Sequence, residues 1–116
     1  MKIQNPTLLT LTWTNNPITV ASNAATVPVT YRLNTITNNA AGAVAITMTV
    51  TGATDGQLTV VRFYDYSAVA QTLTWVNTEN SMTQVPGTSN GSITLPLTVG
   101  FEFNGGTSLW RCISVS

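Results

Sequence analysis

The residues of this sequence whose types and spacing could support catalysis are its four carboxylates, Asp55, Asp65, Glu79 and Glu102. A glycosidase holds two carboxylates about 5–9.5 Å apart across a cleft. Asp65 with either Glu79 or Glu102 is the pair that could do this. Asp55 precedes a glycine, and an aspartate in such a tight turn often bonds to its own backbone.

The other groups that catalysis or metal binding would need are missing. The sequence has no histidine, so it lacks the usual general base and the commonest metal ligand. Cys112 is its one cysteine, which excludes a disulfide within the chain and a zinc site built from cysteines. We interpret Cys112 as a small core or interface residue. We therefore expect a non-enzymatic protein with no catalytic residue, no metal site and no cofactor.

The charge content is also low. Charged residues make up 7% of the chain and sum to zero, against roughly 25% in an average globular domain. Nucleic-acid binding depends on clustered Lys and Arg, so we expect no nucleic-acid partner. No apolar run is long enough for a membrane helix, and the first residues lack the apolar segment of a secretory signal. We expect no membrane partner, synthesis in the cytoplasm, and self-association favoured by weak repulsion between copies.

The elements that would position these groups are strands. The 22 threonines suit a pleated sheet because Thr is β-branched. Between residues 95 and 103 every second residue is apolar, the period of a strand with one buried face. Turn signals recur about every 8–12 residues, as in sandwiches and jelly rolls. The sequence predicts an all-β protein of eight to ten strands without a helix: one antiparallel β-sandwich or jelly roll, a single domain over residues 1–116.

Individual elements are predicted in the same way. A first strand covers residues 8–14 and a turn follows at 15–17. Residues 27–34 form a strand with Val27, Val29, Tyr31 and Leu33 on its apolar face. Because Pro28 has no N–H to donate, this strand lies at a sheet edge or starts at Val29. A further strand turns Val44, Ile46, Met48 and Val50 inward. Asp55-Gly56 is a tight turn, residues 77–92 form a loop with one short strand at 82–85, and a hairpin turns at 104–107.

Five aromatic residues are candidate interface or ligand contacts: Trp13, Tyr64, Tyr66, Trp75 and Trp110. They could stack on sugars in a lectin-like site, or anchor the core or a subunit interface. Trp110 is predicted to lie on the face opposite Leu109 and Ile113. Both faces of that strand then carry apolar groups, which favours burial at an interface.

The order of motifs in the second half is similar to that of a family. Asp55-Gly-Gln, Arg62-Phe-x-Asp65, Leu73-Thr-Trp, Leu95-Pro-Leu-Thr-Val-Gly-Phe-Glu-Phe-Asn and Leu109-Trp-Arg resemble a β-sandwich module of tailed-phage virion proteins. This module occurs in head decoration proteins and at tail-fibre ends. The resemblance covers about residues 54–115. It makes residues 51–116 the core unit, to which residues 1–50 add strands and contacts. At Arg111 the chain departs from the Trp-Asp pair expected in many relatives.

The resemblance implies a homotrimer and a non-enzymatic role. We expect a structural protein of a bacteriophage virion, most simply a capsid decoration, cement or head-knob protein. It would act by burying apolar surfaces against itself and the major capsid or another virion protein. The alternative is a tail-fibre tip or carbohydrate-binding module that recognises a glycan on the host surface.

Overall fold

The computed structural model describes residues 12–67, 69–79 and 83–116. In these ranges the chain is all-β, as predicted, and contains no helix. The strands are β1 Thr12–Thr19, β2 Ala24–Val27, β3 Tyr31–Asn38, β4 Val44–Met48, β5 Leu58–Asp65, β6 Leu73–Val76, β7 Thr78–Glu79, β8 Leu97–Asn104 and β9 Leu109–Val115.

The strands form two sheets, between which the first part of the chain alternates. One sheet has six strands in the order β1-β3-β5-β8-β9-β7, and the other has three in the order β2-β4-β6. From β1 to β6 every connection crosses to the other sheet. The chain thus winds around the two sheets, and it returns to the same sheet after one complete turn. Each strand therefore runs parallel to the strand two places earlier in the chain, as β3 does to β1 and β4 does to β2.

The predicted antiparallel arrangement is therefore wrong for most of the sheet pairs. Among the strand pairs of the described residues, β5–β8 and β8–β9 are antiparallel. The other five, β1–β3, β3–β5, β2–β4, β4–β6 and β7–β9, are parallel. The period-two pattern shows that a strand buries one face, but it is the same for either direction of the neighbouring strand. Turn residues likewise do not reveal whether the chain returns to the same sheet or crosses to the other.

One buried apolar cluster contains side chains of both sheets. Its members are Ala25, Val27, Ile36, Val44, Ile46, Met48, Val61, Phe63, Leu73, Leu97, Val99, Phe101, Phe103, Trp110 and Cys112. Because burial of apolar side chains is the main favourable term in folding, this cluster is what holds the two sheets together.

Parallel pairing in register also stacks similar side chains along the six-stranded sheet. Ile18 pairs with Ile36, and Ile36 pairs with Phe63, which gives an apolar column on the inner face. Beside it, Asn16 donates a hydrogen bond to Asn34 across 2.9 Å, and Asn34 donates to Thr59 Oγ1 at 3.2 Å. Asn34 is completely buried, so these bonds satisfy an amide that would otherwise be costly to bury.

The predicted inner faces are confirmed in β4 and β8. Val44, Ile46 and Met48 are buried, as are Leu97, Val99, Phe101 and Phe103. Leu95 is the exception, since it precedes β8 and is 69% exposed. Val50 lies beyond the end of β4 and is partly buried against the core. The turn at Asp55-Gly56 and the hairpin turn after Asn104 are also confirmed.

Two predictions in the first half are wrong. The buried face of β3 consists of Asn34, Ile36 and Asn38 rather than Tyr31 and Leu33, because β2 ends at Val27 and the chain crosses to the other sheet before β3 begins. The predicted turn at residues 15–17 lies inside β1. Pro17 fits there because β1 is the outermost strand among the described residues of its sheet, where a missing N–H is tolerated. Residues 8–11 of the predicted first strand and residue 82 of the predicted short strand lie outside the described residues, and residues 83–85 form no strand.

Candidate functional site

A cluster of charged and polar side chains surrounds Arg111 where β7 meets the β8–β9 hairpin. Arg111 Nε lies 2.8 Å from Glu79 Oε1. The second oxygen of Glu79 accepts hydrogen bonds from Thr107 Oγ1 at 2.6 Å and from Asn104 Nδ2 at 3.2 Å. Glu102 is more distant, with 3.9 Å between its Oε1 and Arg111 Nη1. Glu79 thus holds both strands and the turn of the hairpin.

The electrostatics of this cluster keep its groups ionised. The hydrogen bond from Thr107, followed by that from Arg111, lowers the pKa of Glu79. The hydrogen bond to Glu79, strengthened by attraction to Glu79, Glu102 and Asp55, raises the pKa of Arg111. A carboxylate with a lowered pKa that is held by three donors is a poor general acid at neutral pH. Its local effect is to fix the hairpin.

An open cleft of about 140 Å³ lies beside this cluster. It is lined by Asp55, Gly56, Glu102, Phe103, Asn104 and Arg111. Asp55 does not bond to its own turn but accepts a hydrogen bond from Gly105 N–H at 2.7 Å, which ties the turn before β5 to the hairpin. The described residues contain no group of three or more His, Cys, Asp or Glu side chains arranged to hold a metal ion.

The carboxylate pair considered for glycoside hydrolysis is not brought together. Glu102 pairs with Leu58 at the start of β5, while Asp65 lies at the end of that strand. Seven residues of strand separate the two positions by roughly 23 Å, far beyond the distance a glycosidase uses. Glu79 lies beside Arg111, the neighbour of Glu102, and is therefore also remote from Asp65.

Asp65 is the centre of a second polar network, which is buried. Its side chain is 1% exposed. One oxygen accepts hydrogen bonds from the N–H and the hydroxyl of Ser67 and from Asn38 Nδ2 at 3.3 Å. The other accepts one from Ser89 Oγ at 2.5 Å. Burial raises the pKa of Asp65, but these hydrogen bonds outweigh it, and the pKa lies below its ordinary value.

The network extends to Gln71 and joins three loops. Gln71 N–H donates to Ser89 Oγ at 2.9 Å, and Gln71 Nε2 donates to Ser67 Oγ at 3.0 Å. Gln71 Oε1 accepts from Gly42 N–H at 2.8 Å. The loops after β3, after β5 and before β8 are therefore fixed to one buried carboxylate.

Two of these loops expose large apolar side chains. We call this surface the loop patch: Tyr66 (48% exposed), Val69 (63%), Ile93 (51%) and Leu95 (69%). Its two loops are in contact, since a Cβ built on Gly91 would lie 2.7 Å from the backbone nitrogen of Ala70. Ser92 Oγ accepts from the N–H groups of Thr94 and Leu95 and shapes the second loop. Exposed apolar groups on a hydrogen-bonded scaffold are typical of a contact surface.

The predicted aromatic contacts lie in different environments. Trp110 is buried, its ring centroid is 5.2 Å from that of Phe103, and its N–H donates to the carbonyl of Thr49. Trp75 is half-buried against Phe101, with its N–H on the carbonyl of Pro86.

The remaining aromatics differ in exposure. Tyr64 is half-buried on the outer face of β5, and Tyr66 belongs to the loop patch. The side chain of Trp13 lies outside the described part of the structure. The two described tryptophans therefore contribute to the core, while Tyr66 is available to a partner.

Cys112 is buried in the core cluster, and burial raises the pKa of its thiol. This placement agrees with its interpretation as a small core residue. In the described part of the chain, no helix is long and apolar enough to cross a membrane.

The network at Asp65 and the loop patch were not predicted from the sequence. The sequence did contain a signal for the Asp65 network, because Asn34 and Asn38 alternate with Ile36 in β3. Polar residues at core positions imply buried hydrogen bonds. Leu95 belongs to the alternating pattern that predicts a strand, so the sequence did not indicate that it is exposed on a loop.

Comparison of the chain with protein-family models, with curated proteins and with solved structures found no match. The resemblance to the phage module therefore remains a prediction.

Proposed function

We propose that this chain is a non-enzymatic structural protein of a bacteriophage virion that acts by burying apolar surface against neighbouring subunits. The observation that carries the proposal is the loop patch, in which four large apolar side chains are exposed on loops fixed by a buried network. A surface of this kind is typical of an interaction site. Within this class we favour a capsid decoration, cement or head-knob protein, with itself and the major capsid protein as partners.

We also propose that the two sheets face each other as a sandwich-like pair. One buried cluster with side chains from both sheets supports this arrangement. A jelly roll, by contrast, is built from antiparallel strands, and most neighbouring strands here are parallel.

The proposal is tested on purified particles of the phage that encodes the chain. Quantitative mass spectrometry is expected to find the protein in a fixed ratio to the major capsid protein. A double variant, Ile93→Ser with Leu95→Ser, is expected to fold but to be depleted from particles. Val76→Ser is the matched control, because Val76 is a 39% exposed residue on the other sheet. Absence of the wild-type protein from purified particles would contradict the proposal.

The alternative, a tail-fibre tip or carbohydrate-binding module, has one observation in its favour. Tyr66 presents a 48% exposed ring in the loop patch, and exposed aromatic rings can stack on sugars. In a glycan array, this alternative predicts binding that Tyr66→Ala abolishes while the fold is retained. If neither glycans nor host cells bind the wild-type protein, the alternative fails and the virion proposal stands.

A further inference from the structure

The outer face of the six-stranded sheet carries a row of apolar positions that crosses several strands. Leu33 of β3 pairs with Val60 of β5, and Val60 pairs with Gly100 of β8. Gly100 pairs with Ser114 of β9, whose Oγ would lie 2.5 Å from a Cβ on Gly100, and a bulge in β9 places Ile113 beside it, 3.7 Å from the same position. We call Leu33, Val60, Gly100 and Ile113 the outer row. Ile113 is 47% exposed, and Leu33 and Val60 are half-buried.

Two opposite charges flank the outer row at equal distances. Arg62 lies two residues from Val60 along β5, and Glu102 lies two residues from Gly100 along β8, on the other side of the row. Two residues of strand correspond to about 6.6 Å, and neighbouring strands lie about 4.8 Å apart. The face therefore has Arg62 on one side of an apolar line and Glu102 on the other, where Arg111, the neighbour of Glu102 on β9, is bound to Glu79.

Both charges have hydrogen-bonding capacity that their own chain does not use. Arg62 is half-buried, its Nη2 donates to the neutral Thr35 Oγ1 at 3.2 Å, and no carboxylate of the described residues forms an ion pair with it. The Glu102 side chain is 41% exposed and lies 3.9 Å from Arg111, whose Nε already binds Glu79. A partner that brought a carboxylate to Arg62 and a cation to Glu102 would complete both.

A second copy of the same chain meets these requirements. If a second copy is turned by 180° about an axis along the outer row, its outer face meets that of the first copy and its two sides are exchanged. Arg62 of one copy then lies on the same side of the row as Glu102 of the other, one strand spacing away along the row. The same rotation places the second Glu102 beside the second Arg62. A two-fold contact requires such a self-complementary surface, and sheets pack face to face about 10 Å apart, within reach of side chains from both.

We propose that the outer face is a homodimer contact with its two-fold axis along the outer row, held by the apolar residues of that row and by two Arg62–Glu102 pairs between copies. This inference rests on the proposed function, because it names a partner and a surface for the burial proposed there. It predicts an even number of copies, whereas the family resemblance implies three.

The test exchanges the charges at positions 62 and 102, singly and together. The mass of each variant is measured by size-exclusion chromatography coupled to light scattering, and the affinity of the dimer by sedimentation. The wild-type protein is expected at about 25 kDa, twice the 12.3 kDa chain. Arg62→Glu and Glu102→Arg are each expected to weaken the dimer at least tenfold, because each places like charges opposite one another. The double variant is expected to recover most of the affinity. Ile113→Asp, which changes the row itself, is expected to give monomers.

Recovery in the double variant is specific to a contact between copies. Within one chain Arg62 and Glu102 are about 14 Å apart, since they lie four residues apart in register and on neighbouring strands. This distance exceeds the screening length of about 8–10 Å in physiological salt. Val76→Glu places a new charge on the other sheet and is expected to leave the dimer unchanged. Circular dichroism verifies that each variant is folded.

Three results would overturn the two-fold contact: a wild-type monomer at all concentrations, a wild-type trimer, or a double variant as weak as the single ones. A trimer would leave the proposed virion role intact. Absence of the chain from phage particles would remove that role and leave a measured dimer unaffected.

Discussion

Ser89 Oγ donates a hydrogen bond to the buried carboxylate of Asp65 over 2.5 Å and so joins the end of β5 to a loop 24 residues further along the chain. Asp65 is almost fully buried, and hydrogen bonds from Ser67, Ser89 and Asn38 stabilise its carboxylate. The loop patch extends from the two loops that this bond connects.

The Asp65 network predicts a loss of stability in acid. Because the folded-state pKa of Asp65 is lowered, its contribution is fully present above the unfolded-state value of about 3.9 and is lost as the pH falls through the folded-state value. Urea denaturation at pH 7 and at pH 3 measures this. The fall in free energy of unfolding is expected to be larger in the wild type than in Asp65→Asn. Equal falls would show that Asp65 does not contribute.

Removal of the Ser89 hydroxyl leaves one oxygen of Asp65 with fewer donors. Ser89→Ala is expected to lower the free energy of unfolding by about 1–3 kcal/mol, the usual effect of leaving a buried polar group unsatisfied. Thr74→Ala, an exposed change on β6, is expected to alter it by less than about 0.5 kcal/mol. Amide hydrogen exchange is expected to increase in residues 89–95. An unchanged exchange rate there would contradict the role assigned to the network.

Leu95 and Leu97 are successive apolar residues of the period-two pattern, but their substitutions are expected to change the free energy of unfolding by different amounts. Leu97 is 4% exposed in β8, whereas Leu95 is 69% exposed. Leu97→Ala is expected to lower the free energy of unfolding by about 2–5 kcal/mol, and Leu95→Ala by less than about 0.5 kcal/mol. Chemical denaturation compares them directly. Similar losses for both would mean that β8 begins earlier than the structure places it.

The glycines of the long loop before β8 give a second matched pair. Gly91 has φ +64° and packs against the backbone of Ala70, whereas Gly87 has open space where a Cβ would lie. Gly91→Ala is expected to destabilise by more than about 1 kcal/mol, because of the left-handed backbone and the close contact. Gly87→Ala is expected to be close to neutral. Thermal and urea unfolding of the two variants test this, and a neutral Gly91→Ala would contradict the contact between the loops.

Local patterns in the sequence predicted several strands correctly, but not their arrangement. The alternation in β4 and β8 identified the inner faces correctly, because the core selects apolar side chains at every second residue. In β3 the same rule failed, since Asn34 and Asn38 occupy core positions and the apolar Leu33 faces outward. Those asparagines are acceptable in the core because Asn34 accepts a hydrogen bond from Asn16 and donates one to Thr59, and Asn38 donates one to Asp65.

The candidate surfaces depend on contacts between distant residues, which a local pattern does not contain. The loop patch combines Tyr66 and Val69 with Ile93 and Leu95, and the outer row combines residues of β3, β5, β8 and β9. The sequence did indicate that β9 carries apolar groups on both faces. The position of those groups relative to Arg62 and Glu102 follows only from the strand register.

The central claim is that this protein acts by burying apolar surface against other subunits, including its own copies. The most direct test is the mass of the purified wild-type protein in solution, measured by light scattering over a range of concentrations. We predict a mass that rises with concentration to about 25 kDa, the mass of two chains of 12.3 kDa. A mass of 12.3 kDa at every concentration would contradict self-association.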